Sequence, residues 1–334
     1  MNVTPDMKIV RSRPALRLVD TRELDRQQWL EVRRGGIGSS DAAAAVGLNP
    51  YKSMLELWLE KTGQGAVLSQ PHQEEDWGPT YWGTLLEPIV AAHYTRQTGN
   101  RVRRVNAVLA HPEHQWMLAN LDREIVGAGD VQVLECKTAG LNGARLWRDG
   151  VPEYVQLQVL HQLAVTGKAA ADVAVLICGQ ELRIHRIERD ETMIAQLIQL
   201  EQAFWQMVED KVPPPADGTE SANRALSQLY PSDFGESLEF AGDPYLEGIF
   251  QQLLEAKEQQ EREERRASEL KQAIQQRMGS ASTAVFTAGS VNWKRTRDSA
   301  RFDAARFAQD HPDLFKAYSV PKSGSRRFVI NEKP

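Results

Sequence analysis

The sequence predicts an α/β fold of the α+β kind, with a mixed central β-sheet flanked by helices and a helical and β extension towards the C-terminus. Three observations predict it. Apolar alternation with period two recurs between Val102 and Glu188, amphipathic helical stretches precede, interrupt and follow those runs, and Pro213-Pro214-Pro215 closes the pattern before a polar tract. A chain of 334 residues can build one large domain with an appendage, or two domains.

Residues 1–24 are polar and mixed and read as a loose N-terminal arm. Arg33-Arg34-Gly35-Gly36-Ile37-Gly38-Ser39-Ser40-Asp41 then reads as a glycine turn feeding a helix N-terminus, a place that can hold an anion. After a break at Asn49-Pro50-Tyr51, Ser53 caps a helix that stops near Gly63. Gln64 to Glu75 reads as a loop, and Trp82 to Gln97 as a helix with Glu87 away from most of its apolar stripe. Val102 to Leu109 and Trp116 to Val126 read as strands. Gly127-Ala128-Gly129-Asp130 is a hairpin turn into a third strand, Val131 to Lys137. Pro152 to Thr166 is a helix ended by Gly167, Ala171 to Cys178 and Glu181 to Glu188 form a hairpin, and Asp190 starts a helix to Lys211. Residues 216–242 read as a linker. Beyond it, residues 243–334 hold a long charged helix, Tyr245 to Met278, and strands at Ala284 to Arg297 and Arg326 to Ile330 around a helix, Asp303 to Gln309. The long helix reads as a packed arm rather than a coiled-coil seam, because its apolar pattern lapses across Gln259 to Arg266.

Bulk properties exclude several classes. The net charge is −5, so any affinity for nucleic acid must come from local basic patches. Cys136 and Cys178 are the only cysteines, both in apolar strand-like runs, which points to buried free thiols and excludes a four-cysteine metal or iron–sulfur site within one chain. No stretch approaches the roughly 20 apolar residues of a membrane span. A soluble, cytoplasmic protein is expected.

The chemistry centres on Leu134-Glu135-Cys136-Lys137, one turn downstream of Asp122. Residues two apart on a strand share a face, so Glu135, Lys137 and Asp122 can meet at one end of a sheet. Two carboxylates and the neutral carbonyl of Cys136 are hard oxygen ligands suited to Mg²⁺, while a lysine can position or deprotonate the attacking water and offset phosphate charge. The alternative is a structural ion pair between strands. Glu87 would complete the metal shell, directly or through water. Tyr154 and Gln158 lie four apart and share a helix face, where an uncharged amide could orient a water or a phosphate oxygen. Arg33 and Ser40 could bind a phosphate, or be a helix cap beside a solvated arginine. No Gly-Lys-Ser/Thr follows the glycines, so this is not a Walker loop.

Together these residues resemble the YqaJ-like viral recombinase family of phage lambda-type exonucleases, which carry a restriction-endonuclease-like PD-(D/E)xK core. The resemblance rests on Arg33-x-Gly35-x-Ile37-Gly38-Ser39-Ser40-Asp41, Asn49-Pro50-Tyr51-Lys52, Leu57-Trp58-Leu59-Glu60-Lys61-Thr62-Gly63 and Trp82-Gly83-x-x-Leu86-Glu87-Pro88. It continues through Asn120-x-Asp122, Leu134-Glu135-Cys136-Lys137-Thr138, Tyr154-x-x-x-Gln158 and Ala164-Val165-Thr166-Gly167. Leu121 and Arg123 depart from it, since the family has a small residue or proline before the acid and glycine after it. The resemblance implies a nuclease domain over residues 25–215 and a catalytic set of Glu87, Asp122, Glu135 and Lys137, with Gln158 and Tyr154 accessory. Metal would be held by Asp122, Glu135, the Cys136 carbonyl and Glu87, and a DNA 5′ phosphate by Arg33 and Ser40. It further implies Mg²⁺, with Mn²⁺ as a substitute, and 5′-to-3′ digestion of double-stranded DNA ends. A trimeric ring, a single-strand annealing partner and a phage or prophage origin in a bacterial host complete the expectation. A structure- or sequence-dependent endonuclease on the same core, and a non-catalytic DNA-binding or assembly protein, are the competing expectations.

Overall fold

The computed structural model describes residues 15–22, 24–64, 78–321 and 324–331. The expected arm up to residue 14 and nearly all of the expected loop from Gln64 to Glu75 lie outside the described residues. The chain divides into two compact units, one ending at Pro231 and one beginning at Ser232. Along the first unit the order is β1 (Leu16–Asp20), α1 (Arg26–Arg34), β2 (Ile37–Gly38), a 3-10 turn at Ser39–Asp41, α2 (Ala42–Ala45), α3 (Met54–Thr62) and α4 (Pro79–Thr98). It continues with β3 (Arg101–Arg103), β4 (Ala107–Ala110), β5 (Met117–Ala119), β6 (Arg123–Val126), β7 (Val133–Ala139), α5 (Glu153–Thr166), β8 (Ala170–Ile177), β9 (Glu181–Glu188), α6 (Glu191–Glu209) and α7 (Glu220–Leu229).

Local signals explain most boundaries. Ser53 caps α3 by accepting from the Glu56 amide, and Gly63 ends that helix in the left-handed conformation. Gly167, at φ 66°, ends α5 in the same way. The class is mixed α/β, as expected, but the expected central sheet is divided into two, with strand orders β1-β4-β5-β2 and β3-β6-β7-β8-β9. Each of the two long strands read from the sequence breaks and changes sheet, at Arg104–Asn106 and at Asn120–Asp122. Asn and Asp tolerate such corners. Asp122 is thereby placed on the corner, one residue before β6.

β7 is sandwiched. Val133 joins the apolar cluster built with Val155, Val159 and Leu163 of α5, whereas Leu134 and Cys136 face Val90 and Tyr94 of α4. Alternation therefore turns Glu135 and Lys137 towards α5. β7 runs parallel to β8, and α5 is the crossover between them.

Several expectations are corrected. Residues 16–20, assigned to a loose arm, form β1 against β4, with a register shift between Arg17 and Val19. The expected linker contains α7, whose Ala222 and Ala225 are buried and whose Ser221 hydroxyl accepts from the Ser53 amide at 2.7 Å. The first unit thus extends beyond residue 215. Cys178 is exposed, because it sits at φ 49° in the β8–β9 turn rather than in the strand.

The second unit contains α8 (Pro244–Met278), β10 (Thr283–Phe286), β11 (Gly289–Asn292), α9 (Ala304–Asp310) and α10 (Pro312–Ala317). The strand expected over Ala284 to Arg297 is the hairpin β10–β11. Arg326 to Ile330, expected as a strand, is irregular backbone.

Candidate active site

The β6–β7 ladder pairs Arg123 with Leu134 in antiparallel register. One residue further, Asp122 comes opposite Glu135, which lets the two carboxylates approach closely. The Cys136 amide donates to Asp122 Oδ2 at 2.8 Å. In an antiparallel ladder the N–H and C=O of one residue face the same neighbour, so the Cys136 carbonyl also opens on the Asp122 side.

Glu135 is 3% exposed and held by three donors. Its Oε1 receives the Lys137 ammonium at 2.7 Å and the Gln158 amide at 2.6 Å, and its Oε2 receives the Gln162 amide at 2.7 Å. A carboxylate accepts about four hydrogen bonds, so about one acceptor position is left. Gln158 closes a triangle by accepting from Lys137 at 2.9 Å through its own oxygen. Burial, then the charge of Glu135 and more weakly that of Glu87, pushes the Asp122 carboxyl well above the usual carboxylate range, against the Cys136 hydrogen bond and Lys137. Burial pulls the Lys137 ammonium down, but Glu135 outweighs it and carries Lys137 above its ordinary value. Tyr154 packs edge-on against Tyr51 with ring centroids 5.7 Å apart, and its phenol is raised by burial and by Tyr51, against the opposing effect of Lys137.

Glu87 has a partner that the sequence did not assign. It projects from α4 into an ion pair with Arg123, which is 6% exposed and also donates to the Asp122 carbonyl. A buried guanidinium needs a counter-charge, and Glu87 supplies it. Among the described residues no group of three or more His, Cys, Asp or Glu side chains is placed to hold a metal ion. The oxygen donors that do converge are Asp122, Glu135 and the Cys136 carbonyl. No described residue donates to Asp122 Oδ1. A crowded pair of carboxylates with one oxygen open is relieved by a hard divalent cation, so these donors fit Mg²⁺.

Arg33 and Ser40 do meet. Arg33 Nη2 donates to Ser40 Oγ at 2.9 Å and to Asp41 Oδ2 at 2.7 Å, and the guanidinium stacks over Trp29 at 4.9 Å. Lys61 reaches the same Asp41 oxygen at 2.8 Å. Burial penalises the Asp41 carboxylate, but Lys61 and Arg33 outweigh it and hold the carboxyl well below its usual range. Gly36 must be glycine here, because a Cβ would strike the Trp116 carbonyl, and a Cβ on Gly38 would crowd Arg33 Nη2 at 3.0 Å. Arg33, Asp41 and Lys61 border a cavity of about 230 Å³ that is also lined by Arg34, Lys52 and Glu60. Tyr51 and Lys52 are adjacent in sequence, so one short loop touches both Tyr154 and this cavity.

Sequence reasoning did not assign Gln162 or Arg123. The signal for Gln162 is its place one helical turn after Gln158. His161, beside it, is a core residue: Nδ1 lies 2.8 Å from Glu201 and Nε2 lies 3.0 Å from the Leu118 carbonyl. Both ring nitrogens face acceptors, an arrangement that favours the protonated ring. Burial disfavours that charge, but Glu201 outweighs it and raises His161 above its ordinary value. Among the described residues no helix is long and apolar enough to cross a membrane.

Comparison with known proteins places these residues in a wider context. The model of the YqaJ-like viral recombinase domain matches residues 28–169. The Bacillus subtilis (strain 168) protein YqaJ is 36% identical over 322 residues, spanning 94% of this chain and 97% of that protein. Among solved structures, the alkaline exonuclease LHK-Exo from Laribacter hongkongensis aligns with a TM-score of 0.46 at 22% identity, over 61% of this chain and 100% of its own. A phage-related exonuclease from Haemophilus somnus 129PT aligns with a TM-score of 0.39 at 10% identity, over 53% and 95% respectively.

Proposed function

The chain belongs to the YqaJ-like viral recombinase family, and from that premise we propose that it is a Mg²⁺-dependent exonuclease that digests one strand of duplex DNA from its 5′ end and leaves a 3′ single strand. The observation that carries this reading is the convergence of Asp122, Glu135 and Lys137 on the sheet corner, with Glu135 fixed by Gln158 and Gln162. Asp122, Glu135 and the Cys136 carbonyl would hold the ion, Mg²⁺ or Mn²⁺, which supplies a polarised water and charge relief on the phosphate. Lys137 faces the same spot, where its ammonium orients the attacking water and offsets phosphate charge. Gln158 keeps that ammonium aimed, because it binds Lys137 through its oxygen and Glu135 through its nitrogen. Gln162 stops Glu135 from rotating. Tyr154 borders Lys137 at the N-terminal end of α5.

The Arg33 cavity, with Ser40 bonded to Arg33, would receive the terminal 5′ phosphate, so that binding energy sets the register of the cut. Two features support that role: four cations against two carboxylates leave a small space with an excess of positive charge, and guanidinium geometry matches phosphate. In the cell the product strand would pass to a single-strand annealing protein. A homo-oligomeric ring, a trimer by family resemblance, would keep an acidic chain on DNA by topology. The setting would be a bacterial cytoplasm. The test is digestion of end-labelled linear duplex beside covalently closed circular duplex, with Mg²⁺ and with EDTA. Loss of linear duplex from its 5′ ends with Mg²⁺ alone is expected. Cutting of the circle would favour the endonuclease reading, and no cutting of either would favour a non-catalytic DNA-binding protein.

A further inference from the structure

A second cavity, of about 470 Å³, lies at the corner where β1, β3, β6 and the end of α5 meet, and neither the metal-ligand set nor the 5′-phosphate pocket uses it. Its rim carries Arg17, Arg22, Arg103, Arg104 and Lys168, drawn from separate segments of the chain. Five cations there face two carboxylates. Asp20 pairs with Arg17 and Arg22, and Glu124 pairs with Arg103 and Lys168. Arg104 is exposed and has no partner among the described residues. In a chain of net charge −5, such a local excess is a footprint for an anion. Arginine predominates, as it does where phosphate is gripped by a planar fork. Val105, Leu109 and Leu121 give the cavity an apolar floor, which a free inorganic anion would not need and a nucleotide's sugar or base would cover.

Position identifies the ligand further. Glu124, on the rim, lies two residues from Asp122 along the β6 direction, and both are partly exposed while Leu121 and Arg123 between and beside them are buried. Thr166, also lining the cavity, is one helical turn, about 6 Å, beyond Gln162, which touches Glu135. α5 therefore passes three places in order: Tyr154 by the loop of the Arg33 cavity, Gln158 and Gln162 at the carboxylates, and Thr166 at the second basic cavity. We infer that this cavity binds the phosphodiester backbone of the DNA strand on the far side of the cut from its 5′ end. The inference rests on the nuclease reading for the direction of the strand, but not for the binding itself.

The test uses the full-length protein and a short fluorescein-labelled duplex with 5′ phosphates, in EDTA so that nothing is cut. Binding is followed by anisotropy from about 50 to about 200 mM NaCl. Arg104→Glu is the informative variant because it breaks no described contact, and Arg96→Glu, exposed on α4, carries the same change of charge elsewhere. Arg104→Glu should bind about tenfold more weakly and lose about one unit of salt slope, and Lys168→Gln should follow it, while Arg96→Glu stays with the wild type. Equal shifts for Arg104→Glu and Arg96→Glu, or no shift in either, overturn the inference. Displacement of the duplex by polyglutamate as readily as by single-stranded DNA also overturns it. The expected binding differences among the variants, together with a wild type that cuts no duplex with Mg²⁺, refute the nuclease reading and support the cavity. A wild type that digests duplex while Arg104→Glu binds normally does the reverse.

Discussion

Lys137→Met removes one charge and keeps the aliphatic stem, and its consequences separate a catalytic ammonium from a structural ion pair. In the wild type the ammonium stands 2.7 Å from Glu135 Oε1 and 2.9 Å from Gln158 Oε1. Unit charges that close attract by about 6 kcal/mol at an effective dielectric of about 20, most of it offset by the loss of hydration on both sides. Removing one member of a buried pair costs roughly 3–5 kcal/mol. The Lys137 side chain keeps 26% of its exposure and Glu135 only 3%, so the lower end, about 3 kcal/mol, applies. At about 2–4 °C per kcal/mol for a unit of this size, the variant should melt about 6–12 °C lower without Mg²⁺ at neutral pH. The folded pKa of Lys137 is raised above 10.5, so its contribution is fully present below 10.5 and is lost as pH rises through the folded value. The deficit should therefore be constant through neutral pH and shrink in strong alkali. Mg²⁺ should raise the melting temperature of Lys137→Met by more than that of the wild type, because the ion supplies the charge Glu135 has lost. Turnover should nevertheless stay about 10²–10³-fold down, the usual cost of losing one positioned donor that stabilises charge in the transition state. Thermal melts with and without Mg²⁺, beside initial rates on linear duplex, decide it. A variant that melts with the wild type, or one that keeps wild-type turnover, refutes the reasoning.

Asp122→Asn and Glu135→Gln should each lower cleavage at least about a hundredfold. Asp122→Asn should melt no lower than the wild type without metal, since it removes like-charge crowding; full activity in either variant would dismiss the site. Wild-type protein should digest 5′-phosphorylated duplex about tenfold or more faster than 5′-hydroxyl duplex, and Arg33→Ala should erase the difference; a preference that survives in Arg33→Ala would reject that pocket. Glu201→Gln breaks the buried pair with His161 and should cost roughly 3 kcal/mol at pH 6. His161 is raised above 6.5 in the folded chain, so the pair contributes fully below 6.5 and fades as pH rises through the folded value. Wild type and variant should thus converge in alkali, and parallel melting curves from pH 6 upward would contradict the assignment.

What the sequence made legible was local. Glu135 and Lys137 share a face because they are two apart on a strand, and the turn at Gly127–Asp130 brings Asp122 back beside them. Gly167 marks the end of α5 because a left-handed residue is needed there. The division into two sheets was not legible, because alternation reports which face a side chain takes and not which neighbour the strand joins. The breaks at Arg104–Asn106 and Asn120–Asp122 contain neither glycine nor proline to announce them. α7 escaped for a similar reason: its buried face is made of Ser221, Ala222 and Ala225, too small to stand out from a polar tract. Gln162 shares a face with Gln158 by spacing alone, but its carboxylate partner lies 27 residues away and on another element.

Arg123 shows how a departure from a motif can redirect its neighbours. Strand alternation buries position 123 between Asp122 and Glu124, and a buried guanidinium requires a carboxylate. α4 passes with Glu87 at that point, so the two pair, 36 residues apart in sequence. Read from the motif alone, Glu87 belongs to the metal; read with Arg123 in place, its charge is already matched. Glu87 still acts on Asp122 as a like charge, though more weakly than Glu135 does. The ion proposed here would therefore be held chiefly by Asp122 and Glu135, and the three hydrogen bonds that fix Glu135 become the determinant of its position.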